Sequence, residues 1–148
     1  MEKTQEFLFR LLKITTEQFA VFEDNYNEND LRQIKLDMGV KVQYRADFIN
    51  RKIGVFFQFE ILNNDKPVLL NENGLHFEIV AETWNNYLAD DGKSIILPKE
   101  YACHLVAIAV GTTRGILHAK TESTRFNELI VPLIFPDDLI EDDLVMKL

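Results

Sequence analysis

The sequence predicts an α+β protein: an antiparallel β-sheet of about four strands in a meander, then a long C-terminal helix and a short second helix. Three observations carry this. Between Val40 and Glu82, apolar and polar residues alternate in runs joined by short turns, as strands do when one face meets a core and the other meets water. At Pro98 the period changes from two to that of a helix. The order, strands first and a long helix last, separates the two kinds of element along the chain.

The elements follow in order. Residues 1–23 alternate loosely, with Phe7, Phe9, Leu11 and Lys13 on one period-two face and Leu8, Leu12 and Ile14 on the other. A first strand is expected around Glu6–Thr15, with a short helix as the rival reading. Residues 24–35 are polar and read as a loop or irregular connection. Val40, Val42, Tyr44, Ala46 and Phe48 then alternate with Lys41, Gln43, Arg45 and Asp47 in a half-buried strand. Asn50-Arg51 makes a tight turn. The next strand alternates Val55, Phe57, Phe59 and Ile61 against Phe56, Gln58, Glu60 and Leu62. Asn63 to Pro67 is a turn by composition. A third run, Leu75, Phe77, Ile79 and Ala81 against His76, Glu78, Val80 and Glu82, is expected to begin after Asn71-Glu72-Asn73-Gly74. Trp84 to Leu88 reads as a short helix or a strand end, and Asp90 to Lys93 as a turn.

Pro98 suits the first turn of a helix, where a missing N–H costs nothing. From there Tyr101, Leu105, Ile108, Thr112 and Ile116 recur at helical spacing. The helix is expected to run from Pro98 to Thr121, about 35 Å at ~1.5 Å per residue. Gly111 and Gly115, four apart, each lower its propensity by ~1 kcal/mol relative to Ala. They make sense where another backbone packs close, either the chain's own sheet or the helix of a second copy. The remainder, Asn127 to Leu148, reads as a short helix or irregular strap around Pro132 and Pro136. An acidic tail over about 137–148 is expected to be partly flexible.

The chain has 148 residues, 47% hydrophobic and 27% charged, which fits one domain over 1–148. Its net charge of −8 argues against nucleic acid, which needs clustered Lys and Arg, and against an anionic membrane surface. It is compatible with a basic protein partner. The single cysteine, Cys103, allows no internal disulfide and fits a reducing compartment. The N-terminus has no long apolar run followed by a small-residue cleavage site, and no stretch approaches ~20 apolar residues. A cytoplasmic location is expected.

Reactive chemistry finds little support. His76, His104 and His118 have no ligand partners at three or four residues, so no metal site is expected, and no cofactor. Cys103 and His104 are neighbours on different sides of the helix, and a small buried thiol is the expected state of Cys103. Gly111 to Gly115 lacks the Gly-Lys-Ser/Thr ending of a phosphate loop. Asp90-Asp91 sit in a turn, and Asp137-Asp138 follow Pro136 where they can cap a helix. The chain is not expected to be an enzyme.

The segments ILPKEYACHLVAIAVGTTRGILHAKT and LIVPLIFPDDL, following an antiparallel sheet, resemble the SecB-like chaperones. The matching features are Leu97-Pro98 and Tyr101 at the helix start, Arg114-Gly115 within it, and the apolar Leu129 to Pro132 before an acidic end. The likeness covers roughly residues 35–140 as architecture and 95–138 as sequence. After Arg114-Gly115 the chain reads Ile-Leu-His-Ala-Lys-Thr where the export chaperones have a glycine- and proline-rich turn, which predicts a longer helix here. The resemblance implies an ATP-independent holdase that binds unfolded polypeptides, in a family that serves protein export, assembled as a homodimer or homotetramer.

Apolar residues on a wet strand face need a partner. Phe56 and Leu62, with Phe7 and Phe9 near the start, are therefore the candidate client-binding residues. Gly111 and Gly115 are the candidates for helix packing in an oligomer. Two other readings stay open. One is a dedicated interaction module for one specific partner, such as an antitoxin-type client. The other is a small-molecule binder using the cleft under the long helix.

Overall fold

Two long central strands, β3 (Lys52–Asn63) and β4 (Lys66–Ile79), organise the molecule. The computed structural model describes residues 6–26 and 36–148. Flanking the central pair are β1 (Phe9–Val21) beside β4 and β2 (Leu36–Asp47) beside β3, all antiparallel, in the order β1-β4-β3-β2. The expected meander therefore holds for β2, β3 and β4 only. The first strand returns to the far edge, a Greek-key order. The long connection over residues 22–35 permits this, because a strand joined by many residues need not pair with its neighbour in sequence. The part of that connection at 27–35 lies outside the described residues, and Glu23–Asn25 forms a 3-10 turn.

One sheet face carries the core. Ile53, Val55, Phe57, Phe59 and Ile61 from β3, with Leu69, Leu75, Phe77 and Ile79 from β4, are fully or almost fully buried. The long helix α2 (Lys99–Thr121) lies across them and buries Ala102, Leu105, Val106, Ala109, Val110, Thr113, Leu117 and Thr121. Its extent matches the helix expected from Pro98, and Pro98 itself is the N-cap. By length and composition α2 is apolar enough to cross a membrane, contrary to the expectation that no stretch is. Here its apolarity is used in packing on the sheet.

The first strand corrects the sequence reading most. It is a strand, not a helix, and runs to Val21. Its register against β4 shifts between Leu11 and Lys13 and again between Thr16 and Gln18, so Leu12 and Glu17 are extra residues. A bulge reverses the alternation after it. Strict period two placed Leu11 and Ile14 on opposite faces. Opposite Phe77 and Leu75, both core residues, they stand on the same one.

Asn71-Glu72-Asn73-Gly74, expected before the third run, lies inside β4. The composition signals a turn, but Asn71 and Asn73 face α2 and are fully buried. Asn73 Nδ2 donates to Asn71 Oδ1 at 3.0 Å and to Thr113 Oγ1 at 3.3 Å. The turn before β4 lies at Asn64 and Asp65, within the expected Asn63 to Pro67, with φ of 50° and 65°. A two-residue loop with both φ positive matches the twist of paired strands.

On the open sheet face, the Phe56 ring lies over two glycines. A Cβ added to Gly74 would stand 2.8 Å from Phe56 Cε1 and 2.6 Å from Thr15 Oγ1, and one added to Gly54 would stand 2.9 Å from Phe56 Cε2. Gly74→Ala is expected to cost about 1–3 kcal/mol by overpacking, read as a lower urea midpoint at unchanged m-value.

Beyond β4, α1 (Ala81–Tyr87) settles the choice between helix and strand end around Trp84. Strand β5 (Ser94–Leu97) was not expected. It pairs with β6 (Leu144–Lys147) in a second, two-stranded sheet. After α2 come a 3-10 turn at Arg125–Glu128, an extended strap over 129–135, and a four-residue helix α3 (Pro136–Leu139). The end of the acidic segment is thus strand, paired with β5. Distant contacts hold it there: Met146 is buried, and Asp143 Oδ1 accepts the Lys99 N–H at 2.8 Å. That contact satisfies one of the orphan donors at the start of α2.

Candidate functional site

Helix α2 is narrower than the sheet it crosses, and its two flanks differ. On the β2 side the C-terminal strap lies along it. Arg114 Nε and Nη2 donate to the carbonyls of Val131 and Pro132 at 2.9 and 2.8 Å, and Asn127 Nδ2 donates to His118 O at 3.1 Å. On the β1 side two ring contacts join strand and helix, and the residues between them on both elements are partly open to water, a strip called the channel below.

The channel has two ring contacts at its ends. At the start of α2, Phe9 meets His104 edge-on at 5.5 Å. Near its end, Lys120 Nζ stands 5.1 Å from the Phe19 ring centre. Between them, four residues apart along the same helix flank, come Ile108, Thr112 and Ile116, all half-exposed. On β1, between Phe9 and Phe19, Leu11 and Ile14 are 39% and 46% exposed although they share the core face of the sheet. Sixteen residues of helix separate His104 from Lys120, about 24 Å. That length accommodates about seven residues of extended chain. β1 is also an edge strand, with one row of N–H and C=O groups facing away from β4.

An aromatic cluster closes the end near the start of α2. Phe7 stacks on Tyr101 at 4.7 Å and lies 5.3 Å from Phe9, and Tyr87 stands 5.7 Å from Tyr101. Burial, then a hydrogen bond with Tyr101, pushes the Tyr87 hydroxyl up to about 12. Burial, then the nearby Cys103, raises Tyr44 as well, whose hydroxyl donates to the Ala102 carbonyl at 3.1 Å. Both groups are neutral in the fold, and a raised acid stabilises the folded state fully below its unfolded pKa of about 10. Stability is therefore expected to hold up to about pH 10 and to fall as pH rises from there towards 12, seen as a falling urea midpoint across that window.

The four residues expected to bind client are not brought together. Phe7 and Phe9 belong to the aromatic end of the channel. Phe56 and Leu62 are on the opposite face of the sheet, with Phe56 held between Arg45, 5.1 Å from its ring centre, and His76 at 5.6 Å. Gly111 and Gly115 do not pack on the chain's own sheet: among the described residues, nothing lies within 4 Å of a Cβ built on either. They line a cavity of about 420 Å³ with Arg114, His118, Asn127, Leu129 and Ile130. Sequence reasoning missed Leu11 and Ile14 because the bulges that align them leave no signal in the alternation.

The Cys103 thiol is half-buried and points to Asp137 Oδ1 at 3.6 Å. Burial first, and then that carboxylate, raise its pKa and favour the protonated form. Among the described residues, no three His, Cys, Asp or Glu side chains are grouped to hold a metal.

No protein-family model matches the chain, and no curated protein matches it. Among solved structures it is similar to the Mycobacterium tuberculosis SecB-like chaperone Rv1957, determined in complex with a ChAD peptide from the HigA1 antitoxin. That likeness has 14% sequence identity and a TM-score of 0.48, over 85% of this chain and 90% of that chain.

Proposed function

We propose that this chain binds extended, apolar segments of non-native polypeptide in the channel between β1 and α2, without ATP, and so holds clients against aggregation. The observation that supports this most directly is that Leu11, Ile14, Ile108 and Ile116, on two neighbouring elements, are apolar and partly open to water in a chain of net charge −8. An apolar channel with an unpaired strand edge along it offers a peptide both side-chain contacts and backbone hydrogen bonds. The excess of carboxylates keeps such a surface soluble and favours clients with basic flanks. No cofactor is needed, and a cytoplasmic setting suits the lone thiol.

The same reading places a second copy on the outer face of α2. Gly111 and Gly115 are open there, and the nearby strap exposes Leu133 by 85% and Phe135 by 70%. Two copies meeting across a two-fold axis would cover these residues.

The deciding experiment dilutes a chemically unfolded, slow-folding protein into buffer with this chain at equal concentration and no ATP, followed by light scattering. Suppression of scattering that saturates at a fixed ratio, for several unrelated clients, is the expected result. No suppression for any client would sink the general holdase reading. Suppression for a single client would identify a dedicated interaction module.

A further inference from the structure

Three weaknesses converge at one level of the fold. In the layer between sheet and helix, Asn71, Asn73 and Thr113 form a buried polar group, 0% exposed. It is only partly satisfied: among the described residues, Asn71 Nδ2 and Asn73 Oδ1 have no hydrogen-bond partner. A half-satisfied polar group in a low-dielectric layer opposes the packing it sits in. Directly above, α2 carries Gly111 and Gly115, its poorest helix formers, on either side of Thr113 and its polar contact. Beside it, β1 shifts register at Glu17, next to the Thr16–Asn73 pair. The halves of α2 on either side are anchored differently. The first packs Ala102, Leu105, Val106 and Ala109 onto the core. The second buries only Leu117 and Thr121 after Thr113.

We propose that α2 is built to bend at Gly111–Gly115, over the Asn71/Asn73 layer, so that its second half moves away from β1 and widens the channel. The bend is a property of the fold by itself; its use in admitting client rests on the reading given under Proposed function. Neither glycine is required by packing within one copy, since among the described residues nothing meets a Cβ on either. A helix that had only to stay on the sheet would gain stability from alanine at both positions.

The test uses the full chain and two independent variants. Gly111→Ala/Gly115→Ala stiffens the helix without touching the layer beneath. Asn71→Leu/Asn73→Leu/Thr113→Val makes that layer apolar without touching the glycines. Amide hydrogen exchange is read for residues 111–121 against 100–109, with molar mass from light scattering. Binding is read with a fluorescent, lysine-flanked peptide of alternating leucine and alanine. In the wild type, residues 111–121 are expected to exchange faster than 100–109. The glycine variant is expected to slow them by ~5-fold per substitution. The apolar-layer variant should slow them too, and both should bind the peptide more weakly while melting at higher temperature. Uniform exchange along the wild-type helix overturns the hinge. So does slowing confined to the glycine variant with a changed molar mass, which would assign the glycines to assembly alone. A wild type that never binds the peptide removes the client reading, and the exchange data still decide the bend.

Discussion

Phe77→Ala is expected to destabilise the fold by about 3–5 kcal/mol, which lowers Tm by about 10 °C or more for a chain of this size. Phe77 is fully buried on β4. Its strand neighbours are Leu11 on β1 and Ile53 on β3, and the Phe9 ring meets it edge-on at 5.6 Å. Truncation removes the transfer free energy of a large ring and leaves a cavity between two paired strands that cannot collapse without breaking their ladders. The loss should reach the channel as well, because Phe9 and Leu11 hold their places against this ring. Urea denaturation with a shared m-value measures it. A cost below about 1 kcal/mol would mean that the core is not centred on β4.

The second expectation separates function from stability. Leu11→Asp/Ile14→Asp is expected to weaken peptide binding by about 10- to 100-fold, since a bound segment covers only the exposed half of each side chain and so adds about half of the roughly 1.5–3 kcal/mol that full burial is worth. The fold should survive, because both residues are already more than a third exposed and β1 is an edge strand, where the loss in strand propensity is at most about 1 kcal/mol each. Ile49→Asp is the matched control: it adds the same type of charge in the turn after β2, at a site 88% exposed. Fluorescence anisotropy of a labelled apolar peptide gives the affinities, and thermal melts report the fold. Equal binding by the double variant and the control would place the client elsewhere on the molecule.

The two cases bear differently on what a single sequence carries. Phe77 was legible, because strict alternation from Leu75 to Ala81 marks which residues face inwards, and burial follows from alternation alone. The same logic located α2, where period 3.6 after a proline is a local signal and Thr121 emerged as its last residue. The site was much less legible. Phe7 and Phe9 were picked out as apolar residues near the start, and they do line one end of the channel. Leu11 and Ile14 were separated by a pattern that two bulges undo. A bulge is set by pairing with β4, about sixty residues away in sequence, and has no composition of its own. Phe56 was taken for an unpartnered ring. Its partners are the missing side chains of Gly54 and Gly74, one on the next strand, and a space of that kind cannot be seen in a list of residues.

Read alone, then, the sequence determined the fold class, the extents of β3 and α2, and the apolar character of the helix, since all three depend on periodicities within a few turns or strand residues. Tertiary structure alone decided that β1 lies beside β4, that Asn71 to Gly74 is strand, that the acidic end folds back as β6, and that one flank of α2 is strapped while the other is open. Each of these depends on which distant surface a segment meets. Burial against that surface outweighs local propensities worth at most about 1 kcal/mol per residue.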